Sequence, residues 1–433
     1  MLQKIDIKNI VNEKKLKYFF NKLYKIPRSI TGKGFLKSIQ ILGEIVDLNL
    51  VRIKSGTKVL DWTVPKEWNV NDAYVLNSKG KKIIDFKKNN LHLLGYSQSI
   101  NLSLKLVDLK KNIFSLPKQP NAVPYVTSYY KKNWGFCLSH NQLKTLSKGN
   151  YKAVINTNFK KNGNLIVGEL LVRGKSKKEI IISTNICHPS MVNNELSGPC
   201  LATFLAEYLN TKKNFYTYRF IFVPETVGML AYLSKRLGII KKNFKAGYHL
   251  TCIGDKGPFS MIKTINEDSY SDKIASTVLN FYKNSKKHSF LSRGSDERQY
   301  NSPRINLPVA TLMRTKFGSY KEYHTSLDNL KTVSKKSLED SFNYVLRVLD
   351  FIENDFRIQS TVKGEPFYSK RNLFRKLGLK TELDKYEWDL FNLPAYADGS
   401  YLSDICNKIK RPPWELYKTI KILQKSNLLK LSR

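Results

Sequence analysis

Five short apolar runs after Gly163 constrain the fold of the chain more than any other feature. They cover residues 165–172, 179–184, 218–225, 246–254 and 307–314. Strands that are apolar along their whole length are buried on both faces, which is typical of a mostly parallel sheet between layers of helices. Between the second and third runs, Gly198 to Asn210 repeats apolar residues at helical spacing. We therefore predict an α/β core with a mostly parallel sheet sandwiched by helices.

The first 150 residues divide into two parts with different patterns. Residues 12–24 and 34–46 have helical periodicity and Asn49 to Lys54 alternates like a strand, so an α/β unit begins here. From Ser55 to about Tyr151, short β-rich runs and turn dipeptides take over. We predict a discontinuous core of residues 1–55 and 151–360, with a small all-β domain of residues 56–150 inserted into it.

The last 70 residues predict a separate module. Short helices at 402–409 and 414–426 follow the turn Asp398-Gly399-Ser400, which is typical of a winged helix at residues 363–433. Its last helix offers only a modest set of polar groups to a nucleic acid, namely Lys418, Lys421, Gln424 and Lys425. A protein partner docking on this module is the favoured interpretation, and sequence-specific nucleic-acid binding is the alternative.

Composition bears on partners and location. The 433 residues include 74 Lys and Arg against 35 Asp and Glu, which gives a net charge of +39. These charges are spread in pairs such as Lys81-Lys82 and never form the long blocks of an interaction tail, so we interpret them mainly as solvated surface. Five cysteines without framework spacing indicate reduced thiols. Charge interrupts every apolar run of the first 24 residues. We therefore expect no signal-peptide core and no membrane span there or later, and we predict a cytoplasmic protein.

Residues with catalytic chemistry follow the predicted strands. Of six histidines, His188 comes directly after the second apolar run and His324 after the last one, and Glu225 closes the third. Catalytic groups of parallel sheets collect beyond the carboxyl ends of the strands. Two imidazoles, a carboxylate and an additional Glu are the set that a catalytic zinc site uses. On the pattern alone, satisfied polar side chains at strand ends explain these residues equally well.

Carboxylates and an amide accompany these residues. Asn194 and Glu195 precede the start of the amphipathic helix, where a carboxylate gains from the helix dipole. Asp296 and Glu297 precede the last apolar run. They belong to a charged cluster that has two possible interpretations: it recognises a substrate terminus, or it is a solvated loop of ion pairs.

Six motifs in a fixed order carry a family resemblance. They are CHPS at 187–190, NNELSG at 193–198, FVPETVGMLAY at 222–232, TCIGD at 251–255, GSDE at 294–297 and YHTSLDNL at 323–330. In this order they resemble the zinc aminopeptidases, a family that includes bacterial leucyl aminopeptidases and relatives of the transferrin receptor and of glutaminyl cyclase. SGTKVLDWTVPKEW, YKKNWGFCLSH and the late helical module resemble a subgroup with an inserted β domain and a C-terminal winged helix.

The resemblance implies roles for three residues and raises a departure at three others. His188 and His324 match the first and last metal histidines, and Glu225 matches the general base. Three anionic ligands of the family are replaced by neutral residues: Asn194 stands for the bridging Asp, Thr226 for the second Glu of the pair and Thr251 for the Asp of the next strand. Two adjacent dications would be poorly compensated by neutral groups, so one zinc ion is expected.

The same family resemblance implies the third ligand and the residue that orients His188. Glu195, beside the bridging position, is the predicted third ligand, with Asn194 as the open alternative. Ser190 replaces the Asp that supports the first histidine in the family. Orientation of His188 is therefore expected from elsewhere, with Asp296 as the candidate, and Glu297 accompanies Asp296 near the substrate.

The resemblance implies a metal-dependent hydrolase that cleaves an amide bond with a single zinc and Glu225 as base. A peptide-like or amidated small substrate is expected, and an aminoacylated sugar fits the subgroup's association with surface polysaccharides. An inactive scaffold with the peptidase fold and a regulatory nucleic-acid-binding protein are the alternatives.

Overall fold

A computed structural model describes residues 10–373 and 383–433. These residues form two compact units, which are considered separately. The larger comprises the described residues up to Ser271 together with Lys286–Phe342, and the smaller comprises the described residues of Asp272–Ser285 and Asn343–Arg433.

The strands of the described residues are β1 (Asn49–Lys54), β2 (Lys58–Val59), β3 (Trp62–Thr63), β4 (Glu67–Leu76), β5 (Lys82–Asp85), β6 (Ile100–Lys105), β7 (Ile113–Phe114), β8 (Phe136–Cys137), β9 (Asn150–Lys160), β10 (Asn164–Val172), β11 (Glu179–Asn185), β12 (Thr217–Val223), β13 (Phe244–Leu250), β14 (Ser260–Ile262), β15 (Lys286–His288), β16 (Val309–Met313), β17 (Arg357–Ser360), β18 (Asp398–Tyr401) and β19 (Leu429–Ser432).

The α-helices are α1 (Glu13–Tyr24), α2 (Lys33–Leu42), α3 (Leu106–Lys110), α4 (His140–Lys144), α5 (Ser197–Asn210), α6 (Val227–Asn243), α7 (Tyr270–Leu279), α8 (Glu297–Tyr300), α9 (Lys335–Asn354), α10 (Lys385–Ala395), α11 (Leu402–Ile409) and α12 (Pro413–Lys425). Short 3₁₀ turns lie at Asn90–His92, Phe290–Ser292 and Ser369–Arg371. Within the described ranges, no helix has both the length and the apolar character needed to cross a bilayer.

The larger unit is built on an eight-stranded sheet in the order β1-β10-β12-β11-β13-β16-β14-β15. Its centre, from β12 to β16, is parallel. On one side β10 is antiparallel to both β12 and β1, and on the other β14 is antiparallel to β16 and parallel to the edge strand β15. Every residue of β11 and β12 is buried, which explains why these strands are apolar without alternation. The predicted α/β sheet with flanking helices is confirmed. The third run leaves the sheet at Val223, so Glu225 lies in the loop beyond it.

One glycine brings the start of α5 against the carboxyl ends of two central strands. A Cβ atom on Gly198 would lie 2.4 Å from the Thr184 hydroxyl and 2.5 Å from the Leu250 carbonyl oxygen. Only a residue without a side chain permits this approach. The loop before α5, which carries Asn194 and Glu195, is thereby held over the end of β11.

An ion cluster lies buried within the central sheet. The Arg219 guanidinium on β12 binds both carboxylate oxygens of Glu179 on β11, at 2.7 and 2.9 Å, and also contacts Glu169 on β10. The Tyr232 hydroxyl from α6 donates to Glu169 as well. Arg219 is only 2% exposed, and the more exposed Arg236 lies 3.5 Å from Glu169, so two guanidinium groups compensate the two buried carboxylates.

Residues 56–160, called the inserted segment below, extend beyond the predicted boundary at 150 and form a second, antiparallel sheet in the order β5-β4-β9-β6. Its last strand, β9, runs to Lys160 before the chain enters β10 of the core. The hairpin of β2 and β3 contacts α6, the helix that follows Glu225. The inserted segment is thus connected to the core near the predicted site.

The smaller unit contains the C-terminal module. Its three strands are arranged β18-β17-β19, and α10, α11 and α12 pack with them. The residues predicted as a turn, Asp398 to Ser400, belong to strand β18. At the start of α12, the Trp414 ring packs edge-on against Phe281 and under the Arg347 guanidinium. The predicted helices at 402–409 and 414–426 are confirmed, whereas a role in protein docking stays a prediction.

Candidate active site

The sheet brings His188 and Glu225 to one edge. β11 and β12 are parallel and in register, with Asn185 opposite Val223, so the residues that follow them emerge side by side. The Nε2 atom of His188 lies 3.7 Å from Oε2 of Glu225. Together with His324, both line a cavity of about 460 Å³.

Glu195 holds His188 from the opposite side of the imidazole ring. Its Oε1 contacts His188 Nδ1, and its Oε2 accepts hydrogen bonds from the backbone N–H groups of Cys187, at 2.6 Å, and of His188, at 3.0 Å. Burial lowers the pKa of His188, but the carboxylates of Glu195 and Glu225 outweigh it, and the pKa is raised. Both Glu195 oxygens are engaged. This geometry differs from the predicted role of Glu195 as a metal ligand, and it fits a residue that positions His188.

A second residue that positions His188 was missed by the sequence analysis. Arg28, between α1 and α2, donates two hydrogen bonds to the His188 carbonyl oxygen, at 3.1 and 2.9 Å. Arg28 is buried, and burial lowers the pKa of its guanidinium to about 10. No motif surrounds this arginine in the sequence, so only the folded chain shows what it contacts.

His324 reaches the site on a loop held by the inserted segment. The Tyr125 N–H donates to the His324 carbonyl oxygen at 2.8 Å, and the Ser326 N–H donates to the Val123 carbonyl oxygen at 2.9 Å. The His324 ring stacks on Tyr323 and lies 5.0 Å, centroid to centroid, from the ring of His188. Burial and the neighbouring His188 lower the pKa of His324 to about 3, so its imidazole is neutral.

Glu225 is oriented by Ser295, another residue that the sequence analysis did not select. The Ser295 hydroxyl donates to Glu225 Oε1 at 2.8 Å, which leaves Oε2 towards His188. Burial raises the pKa of Glu225. Ser295 lies within the GSDE motif, but the sequence alone does not distinguish it from its acidic neighbours.

Asp296 and Glu297 shape the loop around Ser295. Asp296 accepts the Thr226 N–H at 2.8 Å, and its burial, together with the nearby Glu225 carboxylate, raises its pKa well above the ordinary value. Glu297 accepts the Gly294 and Ser295 N–H groups at 2.7 and 3.0 Å, and the Thr311 hydroxyl at 2.9 Å. Asp296 therefore contacts the backbone beside Glu225, and it does not form the predicted hydrogen bond to His188. Glu297 is fully buried and fixes the loop.

The side chain of Asn194 faces a thiol, while its backbone is held by a carboxylate. Its side-chain N–H₂ points to Cys252 Sγ at 3.6 Å, the Thr251 hydroxyl donates to its backbone carbonyl oxygen at 3.3 Å, and its Oδ1 is buried without a hydrogen-bond partner. Asp328 accepts the backbone N–H groups of residues 192, 193 and 194 and thereby fixes this loop. No carboxylate among these contacts replaces the missing anionic ligands at 194 and 251.

Several residues at the site have left-handed backbone conformations. They are Ser190, Thr226, Cys252 and His324, with φ between 45° and 64°. Such conformations cost on the order of 1–3 kcal/mol each in residues other than glycine and concentrate at functional sites. Thr226, directly after Glu225, has φ 64° and ψ −86°, an outlier for a β-branched residue. The surrounding contacts must stabilise these conformations, which indicates a site of fixed geometry.

Two sets of donors could hold a metal ion. Cys187, His188 and Glu195 place ligand-type atoms within 4.8 Å of one another, but Glu195 is already hydrogen-bonded and burial raises the pKa of the Cys187 thiol well above its ordinary value. The other set faces the cavity: His188 Nε2, and His324 Nε2, which is buried without a hydrogen-bond partner. A neutral, unpartnered imidazole nitrogen beside a second imidazole and a carboxylate fits zinc.

A buried histidine behind the site gives a pH prediction. His249 on β13 lies within 3.0 Å of the Ser183 hydroxyl and 3.2 Å of the Ser295 hydroxyl, and burial lowers its pKa to about 4 from an ordinary value of 6.5. Between these pH values the unfolded chain binds a proton that the folded chain does not bind. Acidification through this range should therefore lower the free energy of unfolding by about 3 kcal/mol.

Urea denaturation of wild-type and His249→Gln protein at pH 7 and pH 4.5 measures this contribution. We expect the pH-dependent loss to be smaller by about 2–3 kcal/mol in the variant, whatever its stability at pH 7. His140→Gln, which changes a partly exposed histidine, serves as the control and should keep the wild-type loss. Equal losses in wild type and His249→Gln would contradict the assignment.

The fold that holds these residues is that of the zinc aminopeptidases. The Bacillus subtilis zinc aminopeptidase BSAP superimposes with a TM-score of 0.53 at 12% identity, covering 77% of this chain and 94% of that one. A peptidase M28 precursor from Shewanella amazonensis superimposes with a TM-score of 0.54 at 11% identity, covering 83% and 97%. The chain is therefore an aminopeptidase-like protein in its fold.

More specifically, the chain belongs to the family described as a domain of unknown function (DUF4910), whose profile matches residues 17–355. A winged helix-turn-helix profile matches residues 357–431. A Clostridium acetobutylicum protein, provisionally named a polysaccharide biosynthesis protein with an aminopeptidase-like domain, is 43% identical over 390 residues, or 89% of each chain. A crystal structure of a provisionally named peptidase from Clostridium acetobutylicum is 40% identical, covers 98% of each chain and has a TM-score of 0.91. The predicted family resemblance and C-terminal winged helix are confirmed.

Proposed function

We propose that the protein is a zinc-dependent hydrolase that cleaves an amide bond, with a single zinc ion and Glu225 as general base. The observation that carries this proposal is the buried, unpartnered Nε2 of His324 in the cavity shared with His188 and Glu225. Buried polar atoms are nearly always hydrogen-bonded, so an orphan nitrogen beside a second imidazole supports a ligand role. The similarity of the fold to zinc aminopeptidases supports hydrolysis of an amide bond as the reaction.

His188 and His324 would hold the zinc through their imidazoles. Glu195 supports this role because a carboxylate that hydrogen-bonds the other ring nitrogen is the usual partner of a metal-binding histidine. The buried, unpartnered Oδ1 of Asn194 is the candidate for a further oxygen ligand. The zinc, when bound, supplies a Lewis acid that polarises the amide carbonyl and makes water more acidic.

Neutral groups support one ion over two. Asn194, Thr226 and Thr251 stand at the positions of the family's anionic ligands. The side chains of Asn194 and Thr251 contact only neutral groups, namely the Cys252 thiol and, for Thr251, also the Asn194 backbone carbonyl oxygen. Two zinc ions close together need several negative ligands to offset their repulsion. The charge of a single zinc ion beside the Glu225 carboxylate needs no further anionic ligands at these three positions.

Glu225 has the geometry of a proton carrier. Ser295 fixes Oε1, so Oε2 points into the cavity, where it can take a proton from an attacking water and return it to the departing amine. The inserted segment holds the loop of His324, so the cavity is formed by the inserted segment and the α/β core together. The substrate is expected to carry its scissile amide on a small or peptide-like molecule.

Removal of either imidazole should remove the metal. Wild-type protein purified with added zinc is expected to bind about one ion per chain, whereas His188→Ala and His324→Ala should each weaken zinc binding by at least about tenfold. Mass spectrometry of the metal content and calorimetric titration with zinc measure this. His140→Ala provides a matched control outside the cavity and should bind as wild type does.

Each alternative has its own outcome in the same experiment. Wild-type protein without zinc, or equal zinc in all variants, would contradict the proposal. Two ions per chain would contradict the single-ion assignment. A wild-type protein that holds one zinc ion and hydrolyses no amide would favour the inactive scaffold.

A further inference from the structure

A second cavity in the inserted segment adjoins the catalytic cavity. It has a volume of about 610 Å³, within the range of small-molecule sites, and Tyr129 and Tyr130 line both cavities. Tyr129 has a left-handed φ of 42°, and its hydroxyl lies 3.2 Å from that of Tyr125, whose ring contacts both His188 and His324. A molecule that occupies the second cavity can therefore extend to the catalytic residues.

The charged groups around the second cavity are all cationic. Lys66, Lys131 and Lys132 line it together with the amides of Gln98 and Asn158, and no Asp or Glu of the described part of the chain belongs to its lining. In the described ranges, none of these three lysines forms an ion pair. Three neighbouring ammonium groups without counter-charges favour an anionic ligand.

Exposed aromatic rings stand where the two cavities meet. Trp62 is 40% exposed and Tyr130 is 51% exposed, and their rings lie 6.0 Å apart. The Tyr130 hydroxyl donates to the Thr63 carbonyl oxygen at 2.7 Å, so this ring is fixed to the hairpin that carries Trp62. Aromatic faces carry partial negative charge and pack against the polarised C–H faces of a pyranose ring. Fixed, exposed rings beside cationic groups fit a charged sugar.

The catalytic cavity itself does not favour a peptide with a free amino terminus. Among the residues that the structure describes, Glu225 is the only acidic one that lines this cavity, and it is engaged with Ser295 and faces His188. Arg298, which donates to the Thr226 hydroxyl at 2.6 Å, adds a further cation at the rim. An ammonium group would find no free carboxylate here, whereas an anion would find Arg298 and the nearby lysines.

We infer that the substrate is an anionic saccharide that carries the scissile amide: its sugar packs on Trp62 and Tyr130, and its negative charge binds Lys66, Lys131 and Lys132. This inference rests on the proposed function for the reaction at the amide, but the binding that it describes is measurable without turnover. The inserted segment is then the part of the chain that selects the substrate.

Calorimetric titration of the full chain tests the inference. The probes are N-acetylglucosamine 1-phosphate, glucuronic acid, N-acetylglucosamine and inorganic phosphate. We expect the phosphosugar to bind at least about tenfold more tightly than either N-acetylglucosamine or phosphate alone, because ring and charge contacts combine. Lys131→Ala/Lys132→Ala should weaken phosphosugar binding at least about fivefold and leave N-acetylglucosamine binding unchanged, while Trp62→Ala should weaken both.

The double variant Lys79→Ala/Lys81→Ala changes two exposed lysines of the same segment outside the cavity and should bind as wild type does. If both anionic sugars bind no more tightly than phosphate, or if the control variant loses as much affinity, the inference is overturned. Hydrolysis of leucinamide by a protein that binds neither sugar would overturn the inference and retain the proposed function. Phosphosugar binding without hydrolysis of any amide would retain the binding site and overturn the proposed function.

Discussion

Glu225→Gln is expected to lower kcat for amide hydrolysis by about 10²–10⁴-fold, the usual contribution of a positioned general base. Glutamine keeps the size of the side chain and can still accept the hydrogen bond from Ser295, so the cavity should keep its shape. The substitution removes only the ability to carry a proton. Steady-state kinetics on the amide substrate, with zinc content measured on the same samples, test the prediction.

The zinc measurement separates a base from a ligand. If Glu225 is the general base, the Glu225→Gln variant should bind as much zinc as the wild type. If the variant loses both zinc and activity, Glu225 is a zinc ligand. Glu365→Gln, a change of an exposed carboxylate in the smaller unit, is the control and should retain full activity. A loss of less than tenfold in Glu225→Gln would show that another group carries the proton.

Arg219→Met is expected to lower the free energy of unfolding by about 3–5 kcal/mol, because it leaves buried Glu179 without its cation and Glu169 with only Arg236, 3.5 Å away. Glu169 and Glu179 are 6% and 3% exposed, so water cannot replace the guanidinium. Methionine retains much of the apolar volume, which confines the change to charge and hydrogen bonds. Urea denaturation at pH 7 measures the loss.

Two comparison variants distinguish charge from packing. Arg52→Met changes an exposed arginine on β1 of the same sheet and should alter stability by no more than about 0.5 kcal/mol. Adding Glu169→Gln and Glu179→Gln to Arg219→Met should recover part of the loss, because neutral side chains cost less to bury than unpaired charges. A loss below about 1 kcal/mol in Arg219→Met would show that the carboxylates find other partners.

The sequence predicted the central elements well because burial on both faces leaves a direct trace. The runs at 179–184 and 218–225 correspond to β11 and β12, and the amphipathic helix at 198–210 to α5. The short strands β14 and β15 at one side of the sheet were missed, since three-residue strands carry too little periodicity to recognise. Asp398 to Ser400 were predicted as a turn but belong to strand β18. This strand forms by pairing with β17, some forty residues earlier in the sequence, and such a distant partner leaves no local pattern.

Roles within the site were harder to predict than the site itself. The motifs selected His188, Glu225 and His324, which line one cavity. The detailed roles of Glu195 and Asp296 depend on which atom of a neighbour each carboxylate reaches, and a motif contains no such information. Arg28 and Ser295 act through hydrogen bonds to residues far away in the sequence, and no local pattern marks either of them.

The sequence alone determined the α/β class, the C-terminal winged helix and the identity of the groups with catalytic chemistry, because hydrophobic period and residue type are local properties of a chain. Only the tertiary structure decided that Glu195 holds His188, that Ser295 aims Glu225 and that the inserted segment holds the loop of His324. It also decided where the lysines of that segment lie relative to the catalytic cavity. These properties depend on contacts between residues distant in sequence, which form only when the strands are paired and the loops at their ends converge.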